Sequence, residues 1–179
     1  MNEYFTKDGR SFTIQNPTAD HAEGIINYSK ALFASTDQVL TTLDEYTITV
    51  ENEKKWIENL NDNPNSLVLI AEMSKTIVGL LFFMPNSKNK NSHTGEFGIN
   101  VHPDFQGVGV GRVLLENLLM WARTNRQIEK ISLQVFATNH SAIKLYERFG
   151  FIEEGRHIKA IKQLDGKYVD VLQMYIETN

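Results

Sequence analysis

The sequence predicts one mixed α/β (α+β) domain, with about seven strands and about four helices around a mixed sheet. Two observations lead to this prediction. Short apolar runs of strand length alternate along the chain with longer segments in which apolar residues recur every three or four positions. In addition, no internal repeat, low-complexity tract or Pro/Gly-rich linker divides residues 1–179.

The first third of the chain predicts one strand followed by two helices. Residues 11–16, SFTIQN, alternate apolar and polar side chains, as a half-buried strand does. Ala19 to Phe33 carries apolar residues at helical spacing. A second helix is expected over Val50 to Leu60, with Thr49 as its N-cap because its hydroxyl can accept from a free backbone N–H.

Three central strands are expected next. Ser66 to Met73 and Thr76 to Met84 are nearly continuous apolar runs, and only Ser74-Lys75 separates them, which predicts a hairpin of two buried strands. The polar segment 85–93 reads as a loop. Gly95 to Val101 is expected to be a third central strand.

The last part of the chain predicts two helices and three strands. A long helix runs to about Arg126, and Glu129 to Phe136 alternates as a strand. Asn139 to Phe149 is expected to be a helix that Gly150 ends, because glycine adopts the left-handed conformation that terminates helices. The chain is expected to end with a hairpin of two strands, 152–162 and 168–176, which turns at Asp165-Gly166.

Composition excludes several functional classes. The formal net charge of −4 disfavours a nucleic-acid surface, which needs clustered Lys and Arg. The chain has no cysteine, so disulfides, thiolate metal sites and a cysteine nucleophile are excluded. No two of its five histidines share an HxxxH spacing, and no metal site is expected.

Targeting signals are also lacking in the sequence. The first ten residues, MNEYFTKDGR, are polar and contain no apolar signal-peptide core. The longest apolar run, Ile77 to Met84, is too short to span a bilayer. We therefore expect a cytoplasmic protein without membrane contacts.

The segment 105–112, FQGVGVGR, places three glycines directly before the long helix. A helix N-terminus exposes unpaired N–H groups, and small residues let an anion approach them closely, so the segment predicts a pyrophosphate cradle. The spacing fits neither the dinucleotide-binding G-x-G-x-x-G nor the P-loop G-x-x-x-x-G-K-[ST]. A tight strand-to-helix turn that binds nothing remains an alternative.

Two motifs resemble those of the GNAT superfamily of N-acetyltransferases. The acetyl-coenzyme A motif R/Q-x-x-G-x-G/A is matched by Gln106, Gly109 and Gly111. The second motif, N-x-x-A-x-x-x-Y-x-x-x-G-F, is matched at every fixed position by Asn139, Ala142, Tyr146, Gly150 and Phe151. The order of elements from about residue 11 to 176 also matches, and the chain most resembles the polyamine and ribosomal-protein branch.

The resemblance implies how the donor, acetyl-CoA, would bind. The sheet would be mostly antiparallel and would splay between the fourth and fifth predicted strands, 95–101 and 129–136. The pantetheine arm would lie in this gap along Ile99, Asn100 and Val101, with the Ile99 amide donating to the thioester carbonyl. Asn139 would contact the same arm. The pyrophosphate would be held by Gln106, Gly107, Val108, Gly109, Val110, Gly111 and Arg112, although the Arg112 side chain has a solvated surface role as an alternative.

The resemblance also assigns two catalytic candidates. Tyr146 matches the general acid that protonates the departing thiolate, and a purely packing role is its alternative. Glu96 matches a glutamate that serves as general base in several small-amine members. A salt bridge or a solvated strand end is the alternative for Glu96, and a water chain can replace a protein base. Gln134 stands where ribosomal-protein acetyltransferases carry a glutamate, which weighs against that subfamily.

The expected reaction is direct transfer of acetyl to a primary amine of a small molecule in a ternary complex. The alternatives are an N-terminal acetyltransferase of proteins or peptides and a non-catalytic CoA-binding domain. The acceptor pocket is expected from residues 24–50 and 160–168, with lining candidates Tyr28, Phe33, Asp37, Asp44, Glu45 and Tyr46. The alternative for each of these residues is a place on a solvated helix face or, for the aromatic ones, in the core. Members of the family often dimerise through their C-terminal strands, so a homodimer is a further expectation.

Overall fold

The computed structural model describes residues 2–178, and residues 1 and 179 of the predicted domain lie outside this range. In the described part, eight strands form one sheet in the order β1-β2-β3-β4-β5-β6-β8-β7. Their bounds are β1 Asn2–Phe5, β2 Ser11–Gln15, β3 Leu67–Met73, β4 Thr76–Pro85, β5 Thr94–Val101, β6 Lys130–Phe136, β7 Ile152–Lys162 and β8 Tyr168–Glu177. The mixed sheet is confirmed, with one strand more than the sequence predicted.

Four α-helices flank the sheet in this range, as predicted: α1 Ala22–Ser35, α2 Val50–Asp62, α3 Val110–Thr124 and α4 His140–Arg148. Thr49 is the N-cap of α2, and its hydroxyl accepts a hydrogen bond from the Asn52 N–H at 3.2 Å. Within residues 2–178 no helix combines the length and the apolar composition that crossing a bilayer would require.

The strand that the sequence did not reveal is β1. It has only four residues and pairs antiparallel with β2, with Phe5 opposite Ser11. The turn between them is closed by Thr6, whose hydroxyl donates to the Arg10 carbonyl at 3.0 Å and accepts from the Arg10 N–H at 2.9 Å. An edge strand of only four residues is too short to show a periodicity that sequence analysis can detect.

Both predicted hairpin turns are confirmed. Ser74 and Lys75 have φ values of 50° and 65°, the left-handed conformation that a two-residue hairpin requires at both positions. In the last hairpin Gly166 has φ 85°, and the Gln163 N–H donates to the Lys167 carbonyl at 2.8 Å. Gly150 also ends α4 as predicted, with φ 91°.

The two central strands β3 and β4 are buried on both faces, which explains their continuous apolar sequences. In β3, Leu69 and Ala71 enter the core that contains α3, whereas Val68 and Ile70 enter the core beneath α1 and α2. Because side chains alternate along a strand, a two-sided core replaces the apolar–polar alternation with an unbroken apolar run.

The sheet opens between β5 and β6, as the resemblance implied, although β1 makes these the fifth and sixth strands. They are parallel and pair only over Thr94–Glu96 and Lys130–Ser132. Beyond Glu96, β5 continues to Val101, and β6 continues to Phe136 while pairing with β8 on its other side. The two strands therefore diverge, and a gap forms between their C-terminal halves.

We predict that Gly95→Ala destabilises the protein by about 1–3 kcal/mol. A Cβ at Gly95 would collide with the Met84 carbonyl oxygen and with the ring of Phe83, which is fully buried and has no room to move. The free energy of unfolding in urea measures the effect. Gly155→Ala in β7 is the matched control, since a Cβ there meets no atom within 4 Å. Equal stability of the two variants would contradict the prediction.

Candidate active site

A cavity of about 520 Å³ lies in the gap between β5 and β6, over the start of α3 and against α4. Ten of the residues predicted to bind the donor line it: Ile99, Asn100, Val101, Gln106, Gly107, Gly109, Gly111, Arg112, Asn139 and Tyr146. The fold thus brings together two motifs that are separated in the sequence. Val108, Val110 and Glu96 were also predicted and do not line the cavity.

The glycine segment forms a turn that presents the N-terminus of α3 to the cavity. Gly107 has φ 74° and Gly109 has φ 112°, a conformation that side chains with a Cβ rarely adopt. Gly109 is the N-cap of α3 and has no side chain to satisfy the first N–H groups of the helix. These groups are available to an anion, and the helix dipole favours negative charge at the same place.

Gly111 has a different role from the two preceding glycines, since its backbone needs no positive φ. A Cβ there would make ordinary contacts with Val101 at 3.5 Å and Leu145 at 3.7 Å. Gly111 therefore keeps the cavity wall thin beside the helix start. Val108 is partly buried and Val110 fully buried against the core, so their side chains face away and only their backbone groups can serve the site.

Gln106 connects the glycine turn to the end of β5. Its side-chain Nε2 donates to the Val101 carbonyl at 3.0 Å. A glutamine at this position therefore fixes the loop relative to the strand, and the Val101 carbonyl is already occupied in this structure. The motif alone did not indicate this contact.

The backbone of β5 points two sets of groups into the gap. The His102 N–H donates to the Val78 carbonyl at 2.9 Å, so His102 faces β4. Backbone groups alternate in direction along a strand, which turns the N–H and carbonyl groups of Ile99 and Val101 toward β6. Since the β5–β6 pairing ends at Glu96, the Ile99 groups face open space.

Tyr146 lies at the bottom of the cavity and also belongs to the core. It is 6% exposed, with its ring at 5.9 Å from Phe97 in an edge-on contact and at 6.0 Å from Phe151. Burial raises the pKa of the Tyr146 phenol well above its usual value, so the hydroxyl keeps its proton. Asn139 orients α4, since its Oδ1 accepts from the Ala142 N–H at 3.2 Å at the helix N-cap.

Glu96 lies on the opposite face of β5 from Phe97, as the predicted alternation requires. Its side chain is exposed and accepts one long hydrogen bond, 3.4 Å, from Gln173 Nε2. It shares its face of the strand with Asn100, which does line the cavity. The assignment of Glu96 as general base stays a prediction.

Positive charge surrounds the cavity. Four cationic side chains line it, namely Lys7, Arg112, Lys144 and Arg148. None of the described residues that line the cavity is acidic. Arg112 is also paired with Glu116 at 2.6 Å along α3, and its contact with a phosphate stays a prediction. Lys144 and Arg148 are four residues apart on α4, a spacing that was visible in the sequence. Lys7 is distant in the chain, and no sequence signal pointed to it.

A second cavity, of about 1150 Å³, adjoins the first. It lies between the segment that follows α1 and the β7–β8 hairpin, the two regions from which an acceptor pocket was expected. Thr36, Gln38 and Val39 line both cavities and form their common boundary. Its acidic lining residues outnumber its basic ones: Asp37, Asp44, Glu45 and Asp165 against Lys162 and Lys167.

Not every residue predicted for the acceptor pocket lines this second cavity. Phe33 does, but Tyr46 does not, and its ring instead packs edge-on against Phe33 at 5.0 Å. Tyr28 is 5% exposed and lies in the core beneath α1 and α2. The helical spacing of Tyr28 was compatible with a place in the acceptor pocket or in the core, and packing against the sheet puts it in the core.

Comparison with known proteins identifies acetyltransferases among the relatives of this chain. The chain is 32% identical to a spermidine N(1)-acetyltransferase of Vibrio cholerae over 70% of its length and 71% of that protein. It is 31% identical to the L-amino acid N-acetyltransferase AaaT of Escherichia coli over 69% of its length and 75% of that protein.

Solved structures agree in fold. A GNAT-family acetyltransferase from Streptococcus pneumoniae superimposes with a TM-score of 0.90 at 22% identity, covering 93% of this chain and 99% of that one. The Salmonella typhimurium yncA structure, solved with its cofactor acetyl-CoA, gives 0.81 at 22% identity over 94% of each chain. The model of the acetyltransferase (GNAT) family matches residues 35–151. With this match and two relatives above 30% identity over most of their length, the chain belongs to the GNAT family of acetyltransferases.

Proposed function

We propose that the protein transfers the acetyl group of acetyl-CoA to a primary amine of a small molecule by direct attack in a ternary complex. The observation that carries this proposal is the pair of adjoining cavities, which meet at Thr36, Gln38 and Val39. One is lined by cations and a helix N-terminus, whereas the other has an excess of carboxylates. Such a pair suits an anionic donor and a cationic acceptor that meet at their boundary.

The first cavity fits acetyl-CoA, which supplies an acyl group activated as a thioester. In this proposal the N–H groups of 107–112 and the nearby cations hold the pyrophosphate. The Ile99 N–H faces the gap and donates to the thioester carbonyl oxygen, where negative charge develops during attack. The open edge of β5 thereby acts as a fixed hydrogen-bond donor that needs no rearrangement.

Tyr146 is proposed as the general acid that protonates the departing thiolate. Its burial keeps the phenol neutral, which is the form that can donate a proton. Its aromatic contacts to Phe97 and Phe151 hold the ring in one place at the cavity bottom. Packing and acid roles are therefore compatible in one side chain.

The attacking amine must lose a proton, and Glu96 is the proposed acceptor of it, directly or through water. Its position on the same face of β5 as Asn100 places it on the α1 side of the sheet, away from Tyr146. The acid and the base would thus act from opposite faces of the strand.

A small cationic amine is the proposed acceptor class. The second cavity carries four acidic and two basic lining residues, and Lys167 is already paired with Asp165 at 2.6 Å. Asp37 and Asp44 remain as exposed carboxylates that can attract an ammonium group. The named activities of the two relatives, on spermidine and on L-amino acids, support acceptors of this size.

We predict that Tyr146→Phe lowers kcat about 100-fold and leaves the Kd for CoA unchanged, because only proton donation is lost. Steady-state kinetics and calorimetry separate the two effects. Tyr168→Phe, at a side chain that is 56% exposed, is the control. Unchanged turnover of Tyr146→Phe would remove the acid assignment.

Because burial raises the Tyr146 pKa, we also expect that ionisation of this phenol causes no loss of wild-type activity up to about pH 10.

We predict that Glu96→Gln lowers kcat/KM at neutral pH about tenfold, since an amide cannot accept the proton. Glu154→Gln is the control, at a β7 residue whose carboxylate pairs with Lys130. A kcat/KM of Glu96→Gln equal to that of the wild type would assign proton removal to water alone.

We predict that a panel of acetyl acceptors will show thiol release with small cationic amines in preference to peptides. The panel comprises polyamines, amino acids, aminoglycosides and peptides. Transfer to peptides alone would favour an N-terminal acetyltransferase, and CoA binding without any transfer would favour a non-catalytic domain.

In the double variant Asp37→Asn and Asp44→Asn, we expect KM for the amine to rise about fivefold while KM for acetyl-CoA stays constant. Asp62→Asn at the end of α2 is the control.

A further inference from the structure

The turn of the N-terminal hairpin docks on the glycine turn of the donor cavity. Lys7 makes two hydrogen bonds to it: its backbone N–H donates to the Val108 carbonyl at 2.9 Å, and its ammonium donates to the Gly107 carbonyl at 3.0 Å. Lys7 also lines the cavity itself. One residue of the first strand–turn unit therefore holds two consecutive carbonyls of the cradle, a hundred positions later in the chain.

These two contacts determine the direction of two amides. In a trans peptide, the carbonyl and the N–H of the following residue point in opposite directions. A Gly107 carbonyl held toward Lys7 turns the Val108 N–H away from it, and a Val108 carbonyl held toward Lys7 does the same to the Gly109 N–H. These are two of the amides proposed to hold the pyrophosphate.

The Gln106 side chain and the packing of Val108 hold the segment as a whole, but few contacts restrain the glycine backbone itself. A Cβ at Gly107 or at Gly109 would meet no atom within 4 Å, so no packed neighbour restrains the backbone at either position. Glycine also populates more conformations than any other residue. Among the hydrogen bonds of the described residues, those that the Gly107 and Val108 carbonyls accept both come from Lys7.

Further contacts hold the N-terminal hairpin against the glycine turn and the segments on either side of it. Arg10 pairs with Asp8 at 2.7 Å and places its guanidinium 5.0 Å from the ring centre of Phe105, the residue before Gln106. Tyr4 in β1 shares hydrogen bonds with Asn117 in α3, at 3.2 and 3.4 Å. The hairpin thus contacts the segment before the glycine turn, the turn itself and the helix after it.

We propose that the N-terminal hairpin is part of the donor site and that Lys7 is a positioning residue for the pyrophosphate amides. This inference rests on the proposed use of acetyl-CoA. Lys7 keeps the amides of Val108 and Gly109 oriented before the donor arrives, so that binding does not have to order a flexible turn. Its effect is therefore on donor binding, with none on the chemical step.

The test is Lys7→Met, which removes the ammonium and retains the backbone N–H and most of the side-chain length. Lys88→Met, in the exposed loop between β4 and β5, is the matched control. Calorimetry measures Kd for CoA and for pantetheine, which lacks the pyrophosphate. We expect Lys7→Met to raise Kd for CoA and KM for acetyl-CoA about tenfold, with kcat, KM for the amine and Kd for pantetheine unchanged. Lys88→Met should match the wild type in every measurement.

Two results would overturn the inference. Wild-type affinity of Lys7→Met for CoA would show that the contact does not position the amides. Equal weakening of CoA and pantetheine, with a lowered Tm, would show a general loss of structure. If the wild type itself failed to bind CoA, the proposed function would fall first, so the two failures are distinguishable.

Discussion

The divergence of β5 from β6 is the constraint on which the site depends. The two strands pair over only three residues each, and this short parallel contact brings the start of β5 next to β6 before they separate. Because backbone groups in a gap have no strand partner, they must bond to side chains, as the Val101 carbonyl does, or to water or a ligand. An unpaired strand edge is usually an aggregation hazard, but here it lies inside a cavity that α3 and α4 enclose.

The charge distribution follows from the same opening. The N-terminus of α3 meets the gap with no side chain on its N-cap, and cations from three different parts of the chain line the cavity. Each surface cation contributes little by itself, since solvent screens it. Together with oriented backbone amides in a concave site, they create a field that favours a multiply charged anion. The net negative charge of the chain as a whole therefore says little about this site.

The segment after α1 links the two cavities and is tied to both sides of the fold. The Gln163 side chain donates to the Asp37 carbonyl at 3.0 Å, and the Thr138 hydroxyl donates to Gln38 at 3.0 Å. These two hydrogen bonds attach the segment to the β7–β8 hairpin and to the turn before α4. The boundary between the two cavities is consequently shaped by parts of the chain that no local motif includes.

Local properties of the sequence, namely periodicity, glycine positions and the two motifs, were enough to predict the helices, seven of the eight strands, the main turns and the family. Ten cavity residues were also predicted: the glycine segment and the second motif carry seven of them, and the family resemblance added the three on β5. Only the tertiary structure revealed the four-residue β1, the place of Lys7 at the glycine turn, the bond from Gln106 to Val101 and the burial of Tyr28. Each of these depends on contacts between residues distant in the chain or on which face packs inward, and a local pattern contains neither kind of information.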